Sequence, residues 1–206
     1  SRTLTITVQD SEPLSSPNFT RTINVNQVND APTLDNSGTM TLTAVDEDVT
    51  DPAGDLISTI IATSSVTDPI DDPDTGAVEG IAITNVVTTN GTWHYSLSGT
   101  DWSSISGVSE TSALVLNDSD HLRFVPNLNF NGTVTDGITF HAWDTTDGSS
   151  AGDTVNITAL GTGGETAFST AIETASITVN PVNDAPEIGG LDTTSGNTFV
   201  EDASAG

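Results

Sequence analysis

The chain has 206 residues, 34% of them hydrophobic, and sets 29 carboxylates against three arginines and no lysine, for a formal charge of −26. That field repels phosphate backbones and anionic membrane surfaces, so it opposes nucleic-acid binding and membrane attachment. The absence of lysine removes Schiff-base and P-loop chemistry and any Lys–Asn isopeptide staple; the absence of cysteine removes disulfides and thiolate metal sites.

The opening Ser1-Arg2-Thr3-Leu4-Thr5-Ile6-Thr7-Val8 alternates apolar residues with threonine, the period-2 signature of a half-buried strand. It starts in mid-strand with no leader signal, so the chain is expected to be part of something longer. The same alternation returns in Met40-Thr41-Leu42-Thr43-Ala44, in Trp93-His94-Tyr95-Ser96-Leu97 and in Ile138-Thr139-Phe140-His141-Ala142. Further strands are predicted over 79–88, 121–125, 154–160 and 171–180. Asn90-Gly91, Asn131-Gly132, Asp136-Gly137 and Asp147-Gly148 supply turns between them. No segment sustains a 3.6-residue apolar period, and no apolar run approaches a membrane span. Seven or more short strands so spaced predict an all-β, immunoglobulin-like antiparallel β-sandwich with extended loops, with long loops or an added hairpin within 98–120.

One stretch occurs twice. Ile23-Asn24-Val25-Asn26-Gln27-Val28-Asn29-Asp30-Ala31-Pro32 returns as Ile177-Thr178-Val179-Asn180-Pro181-Val182-Asn183-Asp184-Ala185-Pro186, an offset of 154 residues. Glu47-Asp48 and Glu201-Asp202 share that offset. Two separated motifs on one offset mark a tandem repeat. The expected division is 1–33 as the C-terminal strands of a preceding repeat, 34–188 as one complete repeat, and 189–206 as the start of the next.

The carboxylates are clustered. Asp68-Pro69-Ile70-Asp71-Asp72-Pro73-Asp74, with Glu79 after it, is the densest group, and Asp46-Glu47-Asp48 with Asp51 is a second. Asp144, Asp147 and Asp153 form a looser third group after a strand. Such clusters are either solvated acidic loops or oxygen-rich sites for Ca²⁺, which takes carboxylate and carbonyl oxygens held in a loop. The prolines restrain the first loop and so reduce the entropy lost on closing it round an ion. An extracellular chain without disulfides needs some other staple, which favours Ca²⁺. Neither an EF-hand loop nor a Gly-Gly-x-Gly-x-Asp repeat is present.

The repeated Asn-Asp-Ala-Pro boundary resembles that of bacterial cadherin-like tandem repeats, found in very large secreted adhesins that often carry RTX-type export signals. Asn90-Gly91-Thr92-Trp93-His94-Tyr95-Ser96, Leu122-Arg123-Phe124-Val125-Pro126-Asn127, Asn129-Phe130-Asn131-Gly132 and Phe140-His141-Ala142-Trp143-Asp144 are similar to one subgroup of these repeats. The resemblance implies an extracellular, cell-surface immunoglobulin/cadherin-like sandwich with Ca²⁺ at its junctions. By position it implies Asn29-Asp30 and Asn183-Asp184 as linker ligands, Glu47 serving the 183–184 junction, and Asp72 and Asp74 serving the 29–30 junction. With Asp48, Asp68, Asp71 and Glu201 these complete the candidate metal set.

The expected function is that of a calcium-stabilised spacer or adhesion module in cell attachment or biofilm formation. Its partners would be the neighbouring repeats of the same chain, and surface glycans or other cells. The alternatives are a carbohydrate- or protein-binding module within such an array, and a head-to-tail filament or sheath subunit. Trp102 is the best exposed candidate for a sugar contact, whereas Trp93, Tyr95 and Leu97 lie on one strand face and are wanted in the core. His94, His121 and His141 share no metal spacing, the serines lie in no nucleophile elbow, and the paired acids sit in turns, so no enzyme is expected.

Overall fold

A computed structural model describes residues 2–6, 19–23 and 27–185. Val8, the second Ala-Pro boundary from Pro186 onward, and Glu201 lie outside the described residues. In chain order the elements are β1 (Arg2–Ile6), β2 (Phe19–Ile23), β3 (Thr33–Leu34), β4 (Met40–Thr41), β5 (Val45–Asp46), β6 (Asp55–Leu56) and α1 (Ile57–Ile61). They continue with β7 (Ile70–Asp71), β8 (Gly80–Val86), β9 (Gly91–Ser96), β10 (Ser103–Ser104), β11 (Ala113–Asn117) and β12 (His121–Pro126). The last are β13 (Gly132–Trp143), β14 (Thr154–Val155), α2 (Ile157–Leu160) and β15 (Phe168–Asn180).

The fold is an all-β sandwich. A seven-stranded sheet in the order β14-β11-β8-β13-β15-β4, with β5 also on β15, faces a four-stranded sheet, β10-β9-β12-β6. Two small ribbons, β1-β2 and β3-β7, complete the pairing among the described residues. All pairs are antiparallel except β15 with β4 and with β5, which run parallel.

Alternation puts the core where the apolar residues lie. Ile81 and Ile83 of β8, Leu116 of β11, Phe140 of β13 and Ile177 of β15 meet Trp93 of β9 and Leu122 and Phe124 of β12. Trp93 and Phe124 stand 5.0 Å apart between ring centres, and the Trp93 indole N–H donates to Val87 O at 3.0 Å, so the buried polar edge is satisfied. The opposite side chains of the same large sheet, Ala82, Val115 and Trp143, pack with Val155, Ile157 and Phe168 into a second cluster. At that end the sheet is covered on both faces, which is why β8 reads as almost continuously buried.

Three local expectations are corrected. The strand over 154–160 is β14 followed by a helical turn, because the Asn156 side chain accepts from Ala159 N at 3.0 Å and starts α2. The 40–44 strand is shortened to β4 at Met40–Thr41, and the next strand, β5, begins beyond it at Val45. Leu97 does not join Trp93 inside the sandwich; it is half exposed. Within 98–120 the chain forms long loops: β10 pairs back on β9, an isolated Ser109–Ser112 bridge closes a turn, and β11 pairs with β8 and β14.

Candidate functional site

The entering segment 27–32, the loop after β7 and the end of β13 come together at one pole of the sandwich. Asp74 Oδ2 accepts Asp30 N at 2.9 Å and its Oδ1 accepts the Gln27 amide at 2.7 Å. Asp144, which directly follows β13 and is 2% exposed, accepts the Asn29 side-chain amide at 2.9 Å. Its other oxygen takes Thr146 N at 2.9 Å and Thr146 Oγ1 at 2.7 Å. Asn29 also donates to Thr166 O, and Ala31 N donates to Gly164 O, so the segment is pinned to the loop before β15 as well.

Asp72 is the odd member. One of its oxygens accepts Asp74 N at 2.8 Å, while Oδ2 is buried without a partner. Burial, and then the charges of Asp144, Asp74 and Asp30, push its carboxyl up. A cavity of about 280 Å³ opens beside the cluster, lined by Gln27, Asn29, Asp74, Gly76, Asp144 and Thr146 among others.

This donor chemistry suits a hard, oxygen-preferring cation, and an unpartnered buried carboxylate oxygen is what such an ion would satisfy. The fit carries one condition. Among the described residues no three acidic or histidine side chains converge as a ready metal group. The Asn29 and Gln27 amides now point their NH₂ groups at Asp144 and Asp74, and would have to turn to offer oxygens instead.

The sequence-predicted residues divide among four places. Asn29, Asp30, Asp72 and Asp74 are in this cluster. Asp68 and Asp71 are exposed and lie with Asp118 near Glu79, whose carboxyl is pushed up by burial and then by these neighbours. Glu47 and Asp48 lie at the opposite pole. Glu47 is 5% exposed, and its oxygens accept Val182 N at 2.6 Å and the Asn131 amide at 2.9 Å. Asp48, in a left-handed conformation, accepts Asn129 N at 2.7 Å. Asn183 and Asp184 are exposed, with Asn183 donating to Asp184 O, so Glu47 meets the leaving chain at Val182.

Two site residues were not singled out from the sequence. Asp144 was grouped with Asp147 and Asp153, but Asp147 receives the Trp143 indole and Asp153 receives Ser150 N. Only tertiary structure brings Asp144 to Asn29. Arg123 is the other. It is the sole lysine or arginine between residues 27 and 185 and sits between Leu122 and Phe124, a signal that was legible.

Arg123 and Trp102 lie on the outer face of the four-stranded sheet. Trp102 is half buried, with the guanidinium carbon 4.2 Å from its ring centre and the His121 ring at its edge, 6.4 Å away. One indole face is therefore covered, and Trp102 is not the free platform expected of it. No family model, curated protein or solved structure matches the chain.

Proposed function

We propose that the chain is a calcium-stabilised extracellular repeat, of immunoglobulin/cadherin type, from a large bacterial surface adhesin. It acts there as a spacer or adhesion module in attachment or biofilm formation. The observation that carries the reading is Asp72, whose buried, unpartnered oxygen lies beside Asp30, Asp74 and Asp144 where the Asn-Asp-Ala-Pro segment enters the sandwich. A divalent cation there would neutralise acids that otherwise repel one another and would clamp the entering segment to the domain. The recurrence of the same segment beyond β15 supports a head-to-tail array in which every junction is treated alike.

The test is a pair of thermal melts in millimolar Ca²⁺ and in chelator, with ions counted by native mass spectrometry. An ion bound only by the native state contributes about 3 kcal/mol at a hundredfold excess over Kd, so the melts should separate by several degrees. The Asp72→Asn/Asp74→Asn double variant should lose both the bound ion and the separation. Coincident wild-type melts with no bound ion would overturn the calcium reading.

A further inference from the structure

Among the described residues, five side-chain nitrogen or oxygen atoms are buried without a hydrogen-bond partner, and three of them share one patch: Arg123 Nε, His94 Nδ1 and His121 Nδ1. The sheet register explains the grouping. Arg123 and His94 are directly opposed across β12 and β9, and His121 is two residues from Arg123 on the same outer face. In a chain of charge −26, the lone cation of the domain and two of its three histidines are thus collected on one surface.

The patch is roofed. The 51–54 segment and the 97–104 loop fold over it, each through a glycine in left-handed conformation, Gly54 at φ +76° and Gly99 at φ +77°. A Cβ at Gly54 would stand 2.7 Å from the Trp102 ring, and one at Gly99 would stand 3.1 Å from the His121 ring. The two loops are thus closely seated at these glycines, and the Trp102 ring lies over the guanidinium carbon.

Arg123 is under-partnered for a residue only 9% exposed. Its Nη1 donates to Asp51 Oδ1 at 2.5 Å and to Pro52 O at 3.1 Å; its Nε has nothing. Asp51 is a weak partner, since its side chain is 84% exposed and an ion pair so wet offsets little of the cost of burying a guanidinium. Its exposed carboxylate shows that a carboxylate can reach the guanidinium from the solvent side. Burial, and then the adjoining Arg123 charge, hold the His94 imidazole below its ordinary range.

We propose that this roofed patch is a binding site for an acidic monosaccharide, its carboxylate on the Arg123 guanidinium and its ring against Trp102. The planar guanidinium matches a carboxylate in two-point geometry, which makes an acid group the anchor. The remaining accessible part of the indole offers an apolar surface to a pyranose, and the exposed Ser98, Thr100, Asp101 and Ser104 are nearby polar side chains that suit its hydroxyls. This assignment is independent of the calcium reading, since none of these residues belongs to the Asp72 cluster.

The experiment is an NMR titration of the whole chain in calcium-free buffer at constant ionic strength, following the Trp102 indole N–H and the Arg123 Nε–H. Glucuronate, glucose and acetate are compared at equal concentration. Glucuronate should shift both signals while glucose and acetate leave them in place. Arg123→Met should weaken glucuronate binding by about tenfold or more. Trp102→Ala, which leaves the sheet intact, should weaken it similarly. Asp51→Asn, which removes the competing carboxylate, should tighten it by about twofold to fivefold. Equal binding of acetate would overturn the ring contact, equal binding of glucose would overturn the carboxylate anchor, and no shift with any of the three would overturn the site.

Discussion

Glu47 Oε1 accepts the Val182 backbone N–H at 2.6 Å, joining residues 135 positions apart and fastening the chain that leaves β15 to the turn after β5. Its other oxygen is satisfied by the Asn131 amide, so this buried carboxylate acts as a direct clasp. Removing it strands the Val182 N–H and the Asn131 amide, at a cost of about 1–3 kcal/mol. Glu47→Ala should lower Tm in proportion, and hydrogen exchange at Val182 should accelerate well beyond that at β13. An unchanged exchange rate at Val182 would mean the clasp is not formed in solution.

Glu173 lies on the inner face of β15 between Ala171 and Ala175, is 7% exposed, and has one oxygen without a partner. Burial, and then the charges of Asp136 and Asp35, push its carboxyl up, against the opposing hydrogen bond from Thr174 N. The folded state therefore holds the proton more tightly than the unfolded chain. Its contribution to stability is present below the ordinary glutamate range and is lost as pH rises through the raised folded value. Glu173→Gln keeps the acceptor for Thr174 N and should raise Tm at neutral pH by roughly 2–4 °C, for a gain of about 1 kcal/mol. The gain should vanish on acidification below the ordinary glutamate range. A gain that persisted there would rule out titration of Glu173 as its source.

Gly54→Ala meets two obstacles at once, a left-handed backbone and the Trp102 ring 2.7 Å from the new methyl. The expected cost is about 1–3 kcal/mol, together with a change in Trp102 fluorescence as the indole is pushed off Arg123. Gly148→Ala is the control. It has a similar backbone at φ +83° but open space around it, so it should cost less and leave the fluorescence alone.

Asp144→Asn tests whether Asp144 belongs to the proposed ion site. The variant keeps an oxygen for Thr146 and should fold. Its melts in Ca²⁺ and in chelator should nevertheless draw together as those of the Asp72/Asp74 variant do, whereas Asp153→Asn should behave as wild type. A full calcium response in Asp144→Asn would exclude that residue from the site.

The central strands were legible where the alternation runs clean: Trp93 and Tyr95 in β9, Leu122 and Phe124 in β12, and Ile138, Phe140 and Ala142 in β13 each recur at every second position. The 154–160 segment was not, because a single hydrogen bond from Ala159 N to the Asn156 side chain redirects it, and no period in seven residues reveals that. Within 171–180 the alternation was correct, yet it places a glutamate on the inner face, which pattern alone treats as an exception to be skipped. The acidic pole was half legible. Asn29-Asp30 and Asp72–Asp74 could be paired by resemblance, but Asp144 reaches Asn29 across 115 residues, a distance that only strand order closes.

The parallel pairing of β15 with β4 and β5 determines how this domain meets a pulling force. Leu42 N donates to Ser176 O and Glu47 N to Asn180 O, so the first long stretch of the sandwich lies alongside the last and points the same way. Tension applied between residues 34 and 180 draws these neighbours past each other along their length. The hydrogen bonds between them are then loaded in shear and share the force together, where an antiparallel pair gripped at one end would open bond by bond like a zip.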